Sequence, residues 1–270
     1  MGSWSLSASS QVHVAVVSQT LSFLFFLFFS NGALGVTFTI VNDCGFTIWP
    51  AIFSIPSLNE TGFALTKGNS RSFQAPGDWI GSIWGRTGCN FNSSGKWSCT
   101  TGNCGTNVTN EMECNPYGRT TPATIADFFI NQIEINSQDI YDVSIDQGYN
   151  LRMLVEPTAG SGSSLRSCAK TGCVEDLNQR CPRELTFAGG QVCKSACTAS
   201  GSPEYCCSDS FSSPSSCKPT AYAQLFRSAC PRSYSTTYDL QTTTFLCSGA
   251  DYTIRFCAAA NSFSKIKFGG

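Results

Sequence analysis

The sequence is poor in charge, almost without histidine, and has no Cys-x2-Cys pair. Charged residues make up 13% of the 270, and 17 Lys and Arg nearly cancel 18 Asp and Glu, for a formal net charge of −1. A chain so balanced has no electrostatic grip on a polyanion, so nucleic-acid binding is not expected. The one histidine, His13, lies in a segment read below as removable. Without it, Ser-His-Asp and Cys-His catalysis, His metal ligation and histidine pH switching are all excluded. No Cys-x2-Cys pair occurs, so zinc and iron–sulfur centres are not expected and no cofactor is implied. After Leu21–Phe29 no second hydrophobic run follows. That run is too short to span a bilayer comfortably, so stable membrane insertion is not expected.

What is present points to a secreted, disulfide-stapled, mainly β protein. Residues 1–35 read as a signal peptide. Leu21–Phe29 is its apolar core, and Ala33-Leu34-Gly35 places small residues at the two positions a signal peptidase reads, giving cleavage before Val36. One element of the usual pattern is missing, because no Lys or Arg precedes residue 21. Sixteen cysteines lie after this segment, an even number that predicts eight disulfides in an oxidising compartment. Three sequons, at Asn59, Asn92 and Asn107, fit the same route as candidate N-glycosylation sites. Composition leans the same way, with 24 Gly and 20 Phe, since glycine disfavours helix and aromatics favour pleated surfaces.

Along the chain, Val36–Val41 and Tyr252–Phe256 alternate apolar and polar residues and predict half-buried strands. Each is closely followed by a cysteine, Cys44 or Cys257, and a bridge between them would tie the two ends of one sheet. Residues 122–156 form another strand-rich stretch. There Tyr141, Val143 and Ile145 share an apolar face, so Ile140, Asp142, Ser144 and Asp146 should face water or a cleft. Residues 89–114 hold four cysteines among small polar residues and suggest a hairpin or loop module. Residues 168–230 hold nine, with Tyr222, Leu225 and Phe226 at helical spacing, Thr220 as N-cap and Cys230-Pro231 as the stop.

The cysteine order and the words around it resemble the thaumatin-like family of plant pathogenesis-related proteins. The resemblance runs from Val36 to about Cys257. Its words are Val41-Asn42-Asp43-Cys44 with Ile48-Trp49, Ile83-Trp84-Gly85-Arg86-Thr87-Gly88-Cys89, Thr101-Gly102-Asn103-Cys104-Gly105, Tyr141-Asp142-Val143-Ser144 with Gly148-Tyr149-Asn150, and Glu204-Tyr205-Cys206-Cys207. One word is altered, with Asn103 where the family has Asp. The resemblance implies the pairing Cys44–Cys257, Cys89–Cys99, Cys104–Cys114, Cys168–Cys247, Cys173–Cys230, Cys181–Cys193, Cys197–Cys206 and Cys207–Cys217. It also implies a flattened antiparallel β-sandwich core with two disulfide-rich loop domains and a cleft between. On this chain the core takes 36–88, 115–172 and 231–260. The small hairpin domain takes 89–114, the loop domain with its short helix takes 173–230, and 261–270 is a tail.

Family members often line the cleft with one Arg, one Glu and three Asp, and the family is associated with β-1,3-glucan binding, antifungal activity and, in some members, glucan hydrolysis. Carried over one position at a time, the Arg falls on Ser82, the Glu on Asp127, and the three Asp on Asp142, Gln147 and Asp239. Two positions are kept, one is shortened and two have lost their charge. Gln147 can act neither as acid nor as carboxylate nucleophile, and Asp146 replaces it only if the strand alternation breaks between them. Arg86 belongs to a structural word and does not replace the missing Arg. Tyr141, Tyr149 and Tyr234 are read as packing residues rather than sugar platforms. The expected protein is a monomeric, extracellular or apoplastic defence protein that binds cell-wall β-glucan or a microbial surface without catalysis. The alternatives are an endo-β-1,3-glucanase using the cleft carboxylates and an inhibitor or binder of a microbial protein.

Overall fold

The computed structural model describes residues 35–91, 93, 97–104, 112–114, 122–134, 137–162, 167–236, 238, 240–259 and 262. The apolar leader, Asn92, Asn107, Asp239 and all of the tail but Ser262 lie outside the described residues.

In chain order the strands are β1 (Gly35–Asn42), β2 (Trp49–Ile55), β3 (Ser70–Pro76), β4 (Ile80–Arg86), β5 (Asn90–Phe91), β6 (Trp97–Ser98), β7 (Ile125–Phe129) and β8 (Asp139–Ser144). They continue with β9 (Gly148–Tyr149), β10 (Met153–Thr158), β11 (Thr171–Gly172), β12 (Thr186–Phe187), β13 (Val192–Lys194), β14 (Phe245–Cys247) and β15 (Asp251–Phe256). Two five-stranded sheets, β11-β10-β15-β1-β3 and β14-β8-β7-β4-β2, make the mainly β sandwich. Alternation places the core: Val36, Phe38 and Ile40 of β1 and Tyr252, Ile254 and Phe256 of β15 are fully buried. They meet Ile83, Phe128, Tyr141 and Val143 of the other sheet in one hydrophobic cluster. Phe38 sits 4.9 Å from Trp79 and 4.9 Å edge-on from Phe128, a geometry aromatic quadrupoles favour.

The β1–β15 pairing departs from the antiparallel rule. β1 and β15 run parallel, with Asn42 opposite Phe256. Parallel strands finish at the same end, and that puts Cys44 and Cys257, each just past its strand, within bonding reach; their Cα atoms are 5.0 Å apart. The buried Asn42 holds the turn between, accepting from the Cys44 N–H at 2.9 Å and donating to the carbonyls of Phe46 and Leu65. The other bridges join Cys89–Cys99, Cys104–Cys114, Cys168–Cys247, Cys173–Cys230, Cys181–Cys193, Cys197–Cys206 and Cys207–Cys217. The β5–β6 hairpin sits inside the Cys89–Cys99 bridge. Asn103 accepts from the Cys99 N–H at 3.2 Å, a bond that needs an acceptor and not a charge.

The helix Ala221–Ala229 starts at Thr220, whose hydroxyl accepts from the Ala223 N–H, and ends at Cys230 before Pro231. Phe226 and Ala229 pack in a second cluster with Ile145, Tyr149, Leu177, Leu185 and two disulfides. Among the described residues no helix is long and apolar enough to cross a membrane.

Candidate functional site

The site lies on the outer face of the β14-β8-β7-β4-β2 sheet. Register brings four residues into one row across it: Phe53 stands opposite Ser82, Ser82 opposite Asp127, and Asp127 opposite Asp142. Directly opposed side chains on antiparallel strands are near neighbours, with Cβ atoms ~4.5–5.5 Å apart. The backbone allows this row because Gly81, on the inward side beside Ser82, has no Cβ; one there would meet the Trp79 ring at 2.2 Å. The Ser82 hydroxyl donates to Asp127 Oδ1. Half-buried Asp142 has its carboxyl pushed up to about 7, first by burial and then by the negative charges of Asp127 and Asp146. Two like charges this close favour a proton on one of them, so the row presents a carboxylic acid beside a carboxylate near neutral pH.

Two residues along each strand runs a second row, not anticipated beyond Ile140. Ile55, Ile80, Phe129, Ile140 and Leu246 stand opposite one another in turn across all five strands. Each is between 39% and 56% exposed, so the acidic row is edged by an uncovered apolar stripe. A shallow pocket of about 190 Å³ joins the two, lined by Phe53, Ser82, Asp127, Phe129 and Asp142 among others. The signal in the sequence was Ile140 itself, an apolar residue at an outward position.

The remaining candidates separate from this row. β8 ends at Ser144, which is buried, because the Ser233–Ser235 segment docks there: Ile145 N–H donates to the Tyr234 carbonyl at 2.7 Å and Tyr234 N–H to Val143 at 2.8 Å. The chain then turns, with Gly148 N–H on the Ile145 carbonyl. Strand alternation therefore stops before Asp146, which corrects its expected place on the outward face of a continuing strand. Asp146 accepts from the Ser144 hydroxyl at 2.9 Å and shares a pocket of about 250 Å³ with Gln147, Lys218 and Tyr234. Gln147 is exposed, with its amide 3.4 Å from Asp146 Oδ2. Asp239 lies outside the described residues. Asn59 is exposed beyond β2.

Arg86, four residues along β4 from Ser82, is fully buried. It donates to the carbonyls of Trp49 at 2.9 Å, Pro50 at 3.2 Å and Met112 at 2.7 Å, and burial lowers it to about 10. It is a clamp. Tyr141 is buried and donates to Ala169. Among the described residues no three His, Cys, Asp or Glu side chains are grouped to hold a metal ion.

Residues 42–258 match the model of the Thaumatin family. Among characterised proteins, the chain is 53% identical over 253 residues to Thaumatin-like protein 1 of Arabidopsis thaliana, across 91% of this chain and 95% of that one. It is 44% identical over 240 residues to Pathogenesis-related thaumatin-like protein 3.5 of Cryptomeria japonica, across 87% and 95%. It is 40% identical over 245 residues to Pathogenesis-related protein 5 of Arabidopsis thaliana, across 88% and 98%.

Proposed function

The chain belongs to the thaumatin family, and on that premise we propose that it is a secreted defence protein that binds β-1,3-glucan of a cell wall without cleaving it. The observation that carries this reading is the Phe53–Ser82–Asp127–Asp142 row with the apolar stripe beside it. Carboxylates accept hydrogen bonds from sugar hydroxyls, and Phe53 and Phe129 offer rings to the apolar face of a hexose. Sixteen paired cysteines suit an oxidising extracellular setting.

A second reading, hydrolysis, is favoured by one observation: Asp142 is held as an acid to about pH 7 beside Asp127, the split that glycoside hydrolysis uses. Against it, Ser82 brings no positive charge to the row and Gln147 cannot replace a carboxylate.

Incubation with insoluble β-1,3-glucan separates the two. The expected result is protein in the pellet, no reducing sugar released, and retention lost in an Asp127→Asn, Asp142→Asn double variant. Sugar release that disappears in the double variant would establish hydrolysis instead. No pelleting at all would overturn glucan binding and favour a microbial protein as partner.

A further inference from the structure

A larger cavity than either the acidic-row pocket or the Asp146 pocket lies elsewhere. It measures about 790 Å³ and is lined from six separate segments, among them Phe46, Trp49, Tyr149, Arg152, Asp176 and Gln191. It shares no lining residue with the acidic row or with the Asp146 pocket. Its size falls within the ~300–1,000 Å³ usual for small-molecule sites.

Among the described residues, two that line this cavity carry a buried side-chain atom without a hydrogen bond, Arg152 Nε and Asn178 Oδ1. Buried polar atoms are nearly always satisfied, so two in one place call for partners from outside the chain. The Tyr149 side chain is fully buried. Burial, the Asp176 charge and a hydrogen bond with Asp176 raise its phenol, which keeps the hydroxyl a donor. The walls are pinned before any ligand arrives: Asn178 Nδ2 donates to the Asn150 carbonyl at 2.8 Å and the Gln191 carbonyl at 3.0 Å. Asn178 Oδ1 is the atom left over.

The chemistry of the lining selects the ligand. One cation, Arg152, and one carboxylate, Asp176, leave no net charge to select an ion. The amides of Asn178, Gln179 and Gln191 and the phenol of Tyr149 supply both donors and acceptors. Phe46 and Trp49 supply apolar faces. Clustered hydroxyls on one side and a C–H face on the other are the features of an uncharged hexose. We infer that this cavity is a second binding site, separate from the sheet face, for hexose units of a neutral oligosaccharide.

The purified protein is titrated by calorimetry with laminarihexaose, cellohexaose and, as charged control, trigalacturonate. Saturable binding of at least one neutral hexaose is expected, with none for trigalacturonate. Phe46→Ala, a change at a half-exposed side chain, and Gln191→Ala should each weaken it about tenfold, near 1.4 kcal/mol. Saturable binding should also remain in the Asp127→Asn, Asp142→Asn double variant, whose sheet face no longer holds β-1,3-glucan, since the two sites share no residue. No saturable binding, as from a cavity that holds water alone, would overturn the inference. So would affinity unchanged in both cavity variants, or binding lost altogether in that double variant. Those last outcomes bear on this cavity and leave the sheet-face reading standing.

Discussion

Asp142 faces Asp127 directly across the β7–β8 ladder, and Ser82 donates a hydrogen bond to Asp127 from the strand beyond. The two carboxyls are therefore unequal: one accepts a hydrogen bond that favours its charge, while the other is half-buried and pushed up to about 7. A single face thus offers sugar hydroxyls an acceptor and a carboxyl that also donates.

This inequality makes stability depend on pH. A free Asp titrates near ~3.9; in the fold Asp142 titrates near 7. The folded state binds the proton more tightly, so the stability it contributes is complete below about pH 4 and is lost as pH rises through about 7. Asp142→Asn removes the ionisation and keeps the size. It should be near neutral at pH 4 and stabilising by about 1–2 kcal/mol at pH 8, part of the shift being relieved by solvent. Thermal melts at the two pH values check this; an equal effect at both would refute it.

The Arg86 clamp should tolerate little. Its guanidinium spans three carbonyls, and a lysine ammonium cannot copy that fork. Arg86→Lys is expected to cost about 2–4 kcal/mol by leaving buried carbonyls unmet. Gly62 closes the same clamp, since a Cβ there would meet the Met112 carbonyl oxygen at 2.0 Å and the Arg86 guanidinium at 2.6 Å. Gly62→Ala should therefore destabilise by a similar amount. Urea melts of the oxidised protein decide it, and a wild-type midpoint for either variant would show that the clamp is dispensable.

Much of this was legible before the structure. The alternation of β1 and β15 and the Thr220 cap are local signals, readable from neighbours in sequence. The family words proved to be bonds: Asn42 holds its turn, Asn150 Nδ2 donates to Gly85 and Thr101, and Arg86 clamps Trp49 to Met112. What stayed hidden depends on distant contacts. The end of β8 is set by Tyr234, ninety residues past Ser144, so the alternation through Asp146 misled. The apolar stripe needs the register of five strands at once, and Ile140 alone hinted at it. The large cavity is assembled from six separate segments, and its two unmet atoms become visible only when these meet.

The disulfides should differ in worth by the chain they enclose. Cys44–Cys257 spans 213 residues and Cys89–Cys99 only 10. On the chain-entropy account, removing the first pair as a Cys44→Ser, Cys257→Ser double variant costs about 5 kcal/mol, and the second about 2.5–3 kcal/mol. Chemical denaturation of both double variants measures the order. A larger loss from the short loop would show that local hairpin packing, and not loop closure, sets the scale.

The apolar stripe separates stability from recognition. Phe129 is 45% exposed, so Phe129→Ser removes little from the core and should change stability by no more than about 0.5–1 kcal/mol. Its ring still borders the pocket that holds Asp127 and Asp142. If glucan lies along the sheet, losing that ring removes the cover from a sugar's apolar face and weakens retention about three- to tenfold, or ~0.7–1.4 kcal/mol. Depletion isotherms on insoluble β-1,3-glucan, with melts on the same samples, measure both quantities together. Retention unchanged in Phe129→Ser and in a Phe129→Ser, Ile140→Ser double variant would mean that the stripe does not touch sugar. The exposed row would then be free to meet an apolar protein surface, and the acidic row would have to hold the glucan by hydrogen bonds alone.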